Sequence, residues 1–139
     1  MRRWNGWGEE TTQMEMPAHG AAFLRERLGE GHTLPDASLD SALARVPASR
    51  LAPHALYSIE PRDRLMHARG QSLPDWLALR EGTLGQSPDR VALPESVEQI
   101  RQLLALADSA HLCLTPYGRG TSVAGPTNPP ASLRPVLPV

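Results

Sequence analysis

The fold of this chain is decided by residues 90–125, which read RVALPESVEQIRQLLALADSAHLCLTPYGRGTSVAG. The apolar run at residues 90–93 predicts a short strand. Ser96, with Gln99 three residues later, forms a capping-box pattern and predicts the start of a helix. The apolar face of that helix comprises Val97, Ile100, Leu103, Leu104 and Ala107. A second apolar run at residues 112–114 predicts another strand, so the economical arrangement is a parallel βαβ crossover.

The second predicted strand ends in a glycine-rich loop that contains Gly118, Gly120 and Gly125. Glycine has no Cβ, so such a loop can turn successive backbone N–H groups inward and form an anion-binding concavity. Thr121 and Ser122 can add hydroxyl donors. The loop therefore predicts a phosphate or diphosphate site. A polar surface turn fits the same residues equally well, and the loop alone does not decide between the two.

Two common glycine motifs do not fit this loop. A dinucleotide fingerprint needs glycine or alanine where Val123 stands, and it opens a helix, which Pro126 disfavours. A P-loop needs a lysine, and the chain contains none. A bound phosphate would therefore be held by the loop itself, without a helix N-terminus.

Composition excludes several classes of function. The 139 residues suffice for about one domain, and a formal net charge of −1 gives no broad field to attract nucleic acid or an anionic membrane. No apolar run reaches the roughly 18 residues of a transmembrane helix. The single cysteine, Cys113, cannot form an intramolecular disulfide, and we expect a cytoplasmic location. The five histidines show no metal-ligand spacing, and no catalytic residue is predicted.

Short helices are predicted upstream of the βαβ unit, over residues 17–29, 38–44 and 61–68 and from Pro74 to Gly82. Proline in a first turn and glycine after a last turn are typical of helix boundaries. Residues 134–139 resemble the beginning of a further strand. The pattern as a whole predicts an α+β fold in which a helical N-terminal region, residues 1–86, precedes a βαβ-containing region, residues 87–139.

Several segments together resemble a known flavoprotein family. The segments VALPES (91–96) and PYGRGTSV (116–123) resemble the opening of the FAD-binding domain of the vanillyl-alcohol-oxidase, or PCMH-type, superfamily. The upstream segments RWNGWG (3–8), HARGQSL (67–73) and LREG (79–82) are similar to the N-terminal region of the alkyl-dihydroxyacetone-phosphate synthase family and its bacterial FAD-linked oxidase relatives. The likeness extends over nearly the whole chain.

The resemblance implies that the glycine loop wraps the diphosphate of FAD. The cofactor-binding residues carried over from the family are Pro116, Tyr117, Gly118, Arg119, Gly120, Thr121 and Ser122. Residues 87–139 would then be the first βαβ unit of a truncated PCMH-type domain, and the partners would be FAD and the remainder of a flavoprotein. We expect the chain alone to lack the catalytic residues of an oxidoreductase or synthase. The alternative is a non-catalytic remnant, or a module that acts only through a partner and binds no flavin.

Arg119 is the main departure from the family pattern, which has glycine at this position. If the position requires a positive φ, an arginine there costs about 1–2 kcal/mol, and its bulk obstructs the diphosphate. The opposite hypothesis is that the guanidinium adds a charge-assisted contact to phosphate. The sequence slightly favours the first of these.

Overall fold

The computed structural model describes residues 2–33 and 36–139, and this part of the chain has an α+β fold. Its elements, in chain order, are α1 (Ala18–Leu28), α2 (Leu39–Ala44), α3 (Pro61–Met66), α4 (Leu73–Glu81), α5 (Val97–Ser109), β1 (Cys113–Thr115) and β2 (Val136–Pro138). Each predicted helix is present, and the expected final strand is β2. No helix in the described ranges is long and apolar enough to cross a membrane.

The helix boundaries are set by local chemistry, which was predicted for Ser96 and Gly82 but not for Ser72. The Ser96 hydroxyl accepts a hydrogen bond from the Gln99 backbone N–H at the start of α5. At the start of α4, Ser72 and Asp75 form a complete reciprocal capping box. Gly82 ends α4 in the left-handed conformation, with φ of +70°. These satisfied termini explain why such short helices are well defined.

The sheet consists of β1 and β2, which pair in parallel with Cys113 opposite Val136. Residues 89–92 lie along the other edge of β2, because the N–H of Asp89 donates to Val136 and the N–H of Ala92 donates to Pro138. The predicted strand at residues 90–93 is reduced to one bridge residue, Val91, which pairs antiparallel with Ser58. Prolines at positions 88 and 94 lack N–H groups and shorten this segment.

Two small hydrophobic clusters form the core. One lies between α5 and the sheet and contains Leu103, Ala107 and Leu137, and the other joins α2, α3 and α4 through Ala42, Leu65 and Leu79. Helix α1 buries no residue in either of them. The core is therefore thin, in line with an aromatic content of only 4%.

The predicted apolar face of α5 is only half buried. Leu103 and Ala107 face the core, whereas Val97, Ile100 and Leu104 are exposed, Leu104 to 55%. These three residues are spaced by three and four positions and lie on one side of the helix. An exposed apolar stripe of this kind commonly marks a surface that packs against another polypeptide.

Candidate functional site

The glycine loop begins directly after the carboxyl end of β1. The backbone N–H of Tyr117 donates to the carbonyl of Val139, which fixes the start of the loop beside the end of β2. Gly118 and Gly120 both have positive φ, +59° and +66°, so the two glycines carry the left-handed turns of the loop. The expected loop geometry at the end of a parallel strand is present.

Backbone hydrogen bonds in the loop leave most of its N–H groups available. The N–H of Tyr117 is bonded to Val139, and that of Gly120 donates to the Tyr117 carbonyl at 3.1 Å. Within the described part of the chain, four other N–H groups of the loop have no acceptor. They belong to Gly118, Arg119, Thr121 and Ser122. Pro116 has no N–H to offer.

The buried side chain of Tyr117 supports the loop. This side chain is only 5% exposed, and its hydroxyl lies 3.1 Å from the carbonyl oxygen of Met66 and 2.8 Å from that of Arg69. The His67 ring packs against it at 4.8 Å between centroids. Burial raises the pKa of the Tyr117 phenol, which keeps it a neutral hydrogen-bond donor. The buried Tyr117 side chain therefore holds the start of the loop against the backbone of residues 66–69.

Residues 66–72, which we call the frame segment, hold both sides of the glycine loop. The N–H of Gln71 donates to the carbonyl of Ser122 at 2.6 Å, and the N–H of Gly70 donates to Asn128 Oδ1 at 2.9 Å. A Cβ on Gly70 would lie 2.4 Å from the Ser122 oxygen, so only glycine permits this approach. The resemblance had singled out this segment, and the structure gives it a role in positioning the loop.

A buried carboxylate connects the frame segment to the chain beyond the loop. Asp75 accepts hydrogen bonds from Ser72 and from Asn128 Nδ2, the latter at 2.7 Å, and pairs with Arg69 at 3.6 Å. Burial acts to raise the pKa of Asp75, but these hydrogen bonds and the Arg69 charge outweigh it and hold the pKa below its usual value. The carboxylate stays charged near neutral pH. The sequence analysis assigned neither Asp75 nor Asn128 to the site.

An open cavity of about 340 Å³ lies against the loop. Arg119 and Thr121 of the loop and Gln71 of the frame segment line it. Arg2 and Trp7, from the N-terminal hairpin whose bridge pairs residues 2 and 9, line it as well. No acidic side chain lines this cavity within the described residues. Its two guanidinium groups make it suitable for an anion.

The structure removes the strain argument against Arg119. Among the described residues other than glycine, only His111 has a positive φ. Arg119 therefore has an ordinary backbone conformation, and the expected cost of 1–2 kcal/mol does not apply. Its side chain is exposed and lines the cavity.

Other chemistry is not assembled in this part of the molecule. Across residues 2–33 and 36–139, no group of three or more histidine, cysteine or carboxylate side chains could hold a metal ion. Cys113 is half-buried within β1. The loop, the frame segment and the adjoining cavity are thus the strongest candidate for a binding site.

Comparison with known proteins found no matching family model. It did find curated relatives that are alkyldihydroxyacetonephosphate synthases. The protein from Dictyostelium discoideum is 27% identical over 125 residues, which are 90% of this chain and 17% of the relative. The Caenorhabditis elegans protein is 36% identical over 74 residues, which are 53% of this chain and 12% of the relative. The chain thus spans less than a fifth of the length of these relatives.

Solved structures give the same match. Two crystal forms of alkyldihydroxyacetonephosphate synthase superpose on 99% of this chain, with TM-scores of 0.79 and 0.78. Sequence identity is 20% and 19%, and the matched region is 32% of each solved chain. The shared fold therefore includes the glycine loop and the frame segment.

Proposed function

This chain is a relative of the alkyldihydroxyacetonephosphate synthases in sequence and fold, and from that premise we propose that its glycine loop binds the diphosphate of FAD. The observation that carries the proposal is the set of four backbone N–H groups, at residues 118, 119, 121 and 122, that have no acceptor among the residues the structure describes. Backbone donors of this kind are the usual ligands of phosphate oxygens in glycine-rich loops.

The residues around the loop fit a diphosphate in size and charge. The cavity of about 340 Å³ is positively charged, and the open space at Gly118 lets a ligand approach the backbone. Thr121 lies on the cavity wall and can add a hydroxyl donor. FAD would supply hydride or electron transfer through its isoalloxazine ring. The described residues of this chain would hold the diphosphate of the cofactor.

The proposal includes the arrangement of the larger domain. Residues 89–92, α5 and β1 would form the first βαβ unit of a PCMH-type domain, since residues 89–92 run in the same direction as β2 and β2 is parallel to β1. Residues 1–86 would form a helical region that carries the frame segment. The exposed stripe of α5 would pack against further flavoprotein sequence. A cytoplasmic location belongs to the same proposal.

A titration with three ligands tests the loop as a diphosphate site. The chain is mixed with FAD, with ADP and with riboflavin, and binding is followed by calorimetry. FAD and ADP share the diphosphate, which riboflavin lacks, so we expect both to bind at least about tenfold more tightly than riboflavin, as expected for charge-assisted hydrogen bonds to the phosphates. Equal affinity for riboflavin and FAD would contradict a diphosphate site. A failure of both FAD and ADP to bind would support the non-catalytic, flavin-free alternative.

A further inference from the structure

Two arginines from separate parts of the chain meet at the cavity beside the loop. Arg119 lies at the tip of the glycine loop, and Arg2 lies in the N-terminal hairpin more than a hundred residues earlier. Both line the same cavity, together with Thr121. Two positive charges thus line one cavity, and no carboxylate lines it among the described residues. Such a cavity suits an anionic ligand.

The Arg119 guanidinium is not engaged by another group within the described residues. The ion pairs there engage other arginines, and the Arg119 side chain forms neither an ion pair nor a hydrogen bond. Its φ is not positive, so no backbone strain has to be relieved by a smaller residue. An exposed, unstrained guanidinium on a cavity wall can turn toward a bound ligand at little cost.

Arg2 lies close to Tyr117 and His67, the side chains that support the loop. Burial raises the pKa of the Tyr117 phenol, and the charge of Arg2 and its hydrogen bond to the phenol oppose that rise. The Arg2 charge also lowers the pKa of His67, in addition to the effect of burial. The guanidinium is therefore near the side chains beneath the loop as well as at the cavity. The hairpin backbone that carries Arg2 is fixed by the bridge to Glu9 and by the N–H of Arg3 donating to Gly8 at 3.0 Å.

We propose that Arg2 and Arg119 form a two-sided clamp on the bound diphosphate, with the N-terminal hairpin supplying one side and the glycine loop the other. Each guanidinium donates charge-assisted hydrogen bonds to phosphate oxygens. The inference rests on the proposed function and adds to it two charged ligands, one of them where the family pattern has glycine. A guanidinium presents several N–H donors in one plane and suits paired phosphate oxygens. The N-terminal hairpin thereby becomes part of the cofactor site.

The clamp predicts a strong and salt-dependent contribution to FAD affinity. Arg119→Gln and Arg2→Gln are each expected to weaken FAD binding about tenfold at low salt, about 50 mM, and less at about 500 mM, because salt screens the lost charge. Arg119→Lys should keep part of the affinity. Arg101→Gln is the control, since Arg101 is an exposed residue of α5 that pairs with Glu98 and does not line the cavity. Circular dichroism checks that each variant is folded.

The outcomes separate the clamp from the function on which it rests. If the unaltered chain binds FAD and both glutamine variants bind it equally well at either salt concentration, the clamp is wrong and the loop site stands. An effect of Arg119→Gln without an effect of Arg2→Gln overturns the two-sided arrangement. Tighter binding by Arg119→Gln shows obstruction and overturns the clamp. No FAD binding by the unaltered chain overturns both proposals.

Discussion

Replacing Gly120 with alanine is expected to destabilise the chain by about 2–5 kcal/mol. Gly120 has φ of +66°, which costs a residue with a Cβ about 1–2 kcal/mol. A Cβ there would also lie 2.4 Å from the Tyr117 hydroxyl and 2.5 Å from its ring. Because Tyr117 is buried and its hydroxyl is bonded to the frame segment, relief of that overlap costs a further 1–3 kcal/mol or so. Denaturant unfolding measures the loss.

Gly118 provides a matched control for this substitution. It has φ of +59°, but a Cβ added there would meet no atom within 4 Å. Gly118→Ala should therefore lose only the conformational part, about 1–2 kcal/mol. In a chain that already carries Tyr117→Ala, Gly120→Ala should cost no more than Gly118→Ala, because the overlapping ring is gone. Equal losses for the two alanine variants in the unaltered background would show that the loop does not rest on Tyr117.

Replacing Asp89 with alanine is expected to cost about 2–3 kcal/mol of stability. Asp89 is 3% exposed, pairs with Arg50 through two hydrogen bonds of 2.7 Å, and accepts the N–H of Val136 in β2 at 2.8 Å. Alanine leaves that buried N–H without an acceptor. The Arg50 side chain is 45% exposed and can be hydrated, so the loss stays below that of a fully buried ion pair. Denaturant unfolding near neutral pH measures the difference.

The same substitution has a defined pH dependence. Burial acts to raise the pKa of Asp89, but the hydrogen bonds from Arg50 and Val136 outweigh it and hold the pKa below the ordinary value of 3.8. A carboxyl with a lowered pKa stabilises the fold above its ordinary pKa, and the stabilisation is lost as the pH falls through the folded value. The difference in unfolding free energy between the unaltered chain and the Asp89→Ala variant should thus be largest near neutral pH and should shrink below about pH 4.

A surface ion pair supplies the control for Asp89. Glu98 and Arg101 pair at 3.4 Å on α5, and both side chains are largely exposed. Glu98→Ala should change stability by less than about 0.5 kcal/mol at any pH. If Asp89→Ala and Glu98→Ala lose comparable stability, Asp89 does not stabilise the fold by joining β2 to the segment around Arg50.

Local signals predicted the helices well, because their determinants lie within a few residues. Ser96 with Gln99 and Ser72 with Asp75 start α5 and α4 by hydrogen bonds to nearby backbone groups. The strand expected at residues 90–93 failed because its pairing depends on partners far along the chain. Val91 pairs with Ser58, and the N–H groups of Asp89 and Ala92 donate to β2.

The loop was recognisable from its glycines and from the family resemblance, but its support was not. Asn128 reaches Asp75 across 53 positions, and no periodic pattern marks such a pair. The conformation of Arg119 could not be read from its identity, since φ at that position depends on how Gly118 and Gly120 divide the turn. Sequence thus identified the loop as a candidate site, and tertiary contacts determine which of its backbone N–H groups remain available.

The central claim is that backbone N–H groups of the glycine loop hold a diphosphate, and an amide proton–nitrogen correlation spectrum of the isotope-labelled chain tests it most directly. On addition of FAD, the account predicts the largest shifts at the amides of Gly118, Arg119, Thr121 and Ser122. Small shifts are expected at Tyr117 and Gly120, whose N–H groups are already bonded. Saturable FAD binding that leaves those four amides unmoved, or that shifts only residues outside the loop and its cavity, would contradict it.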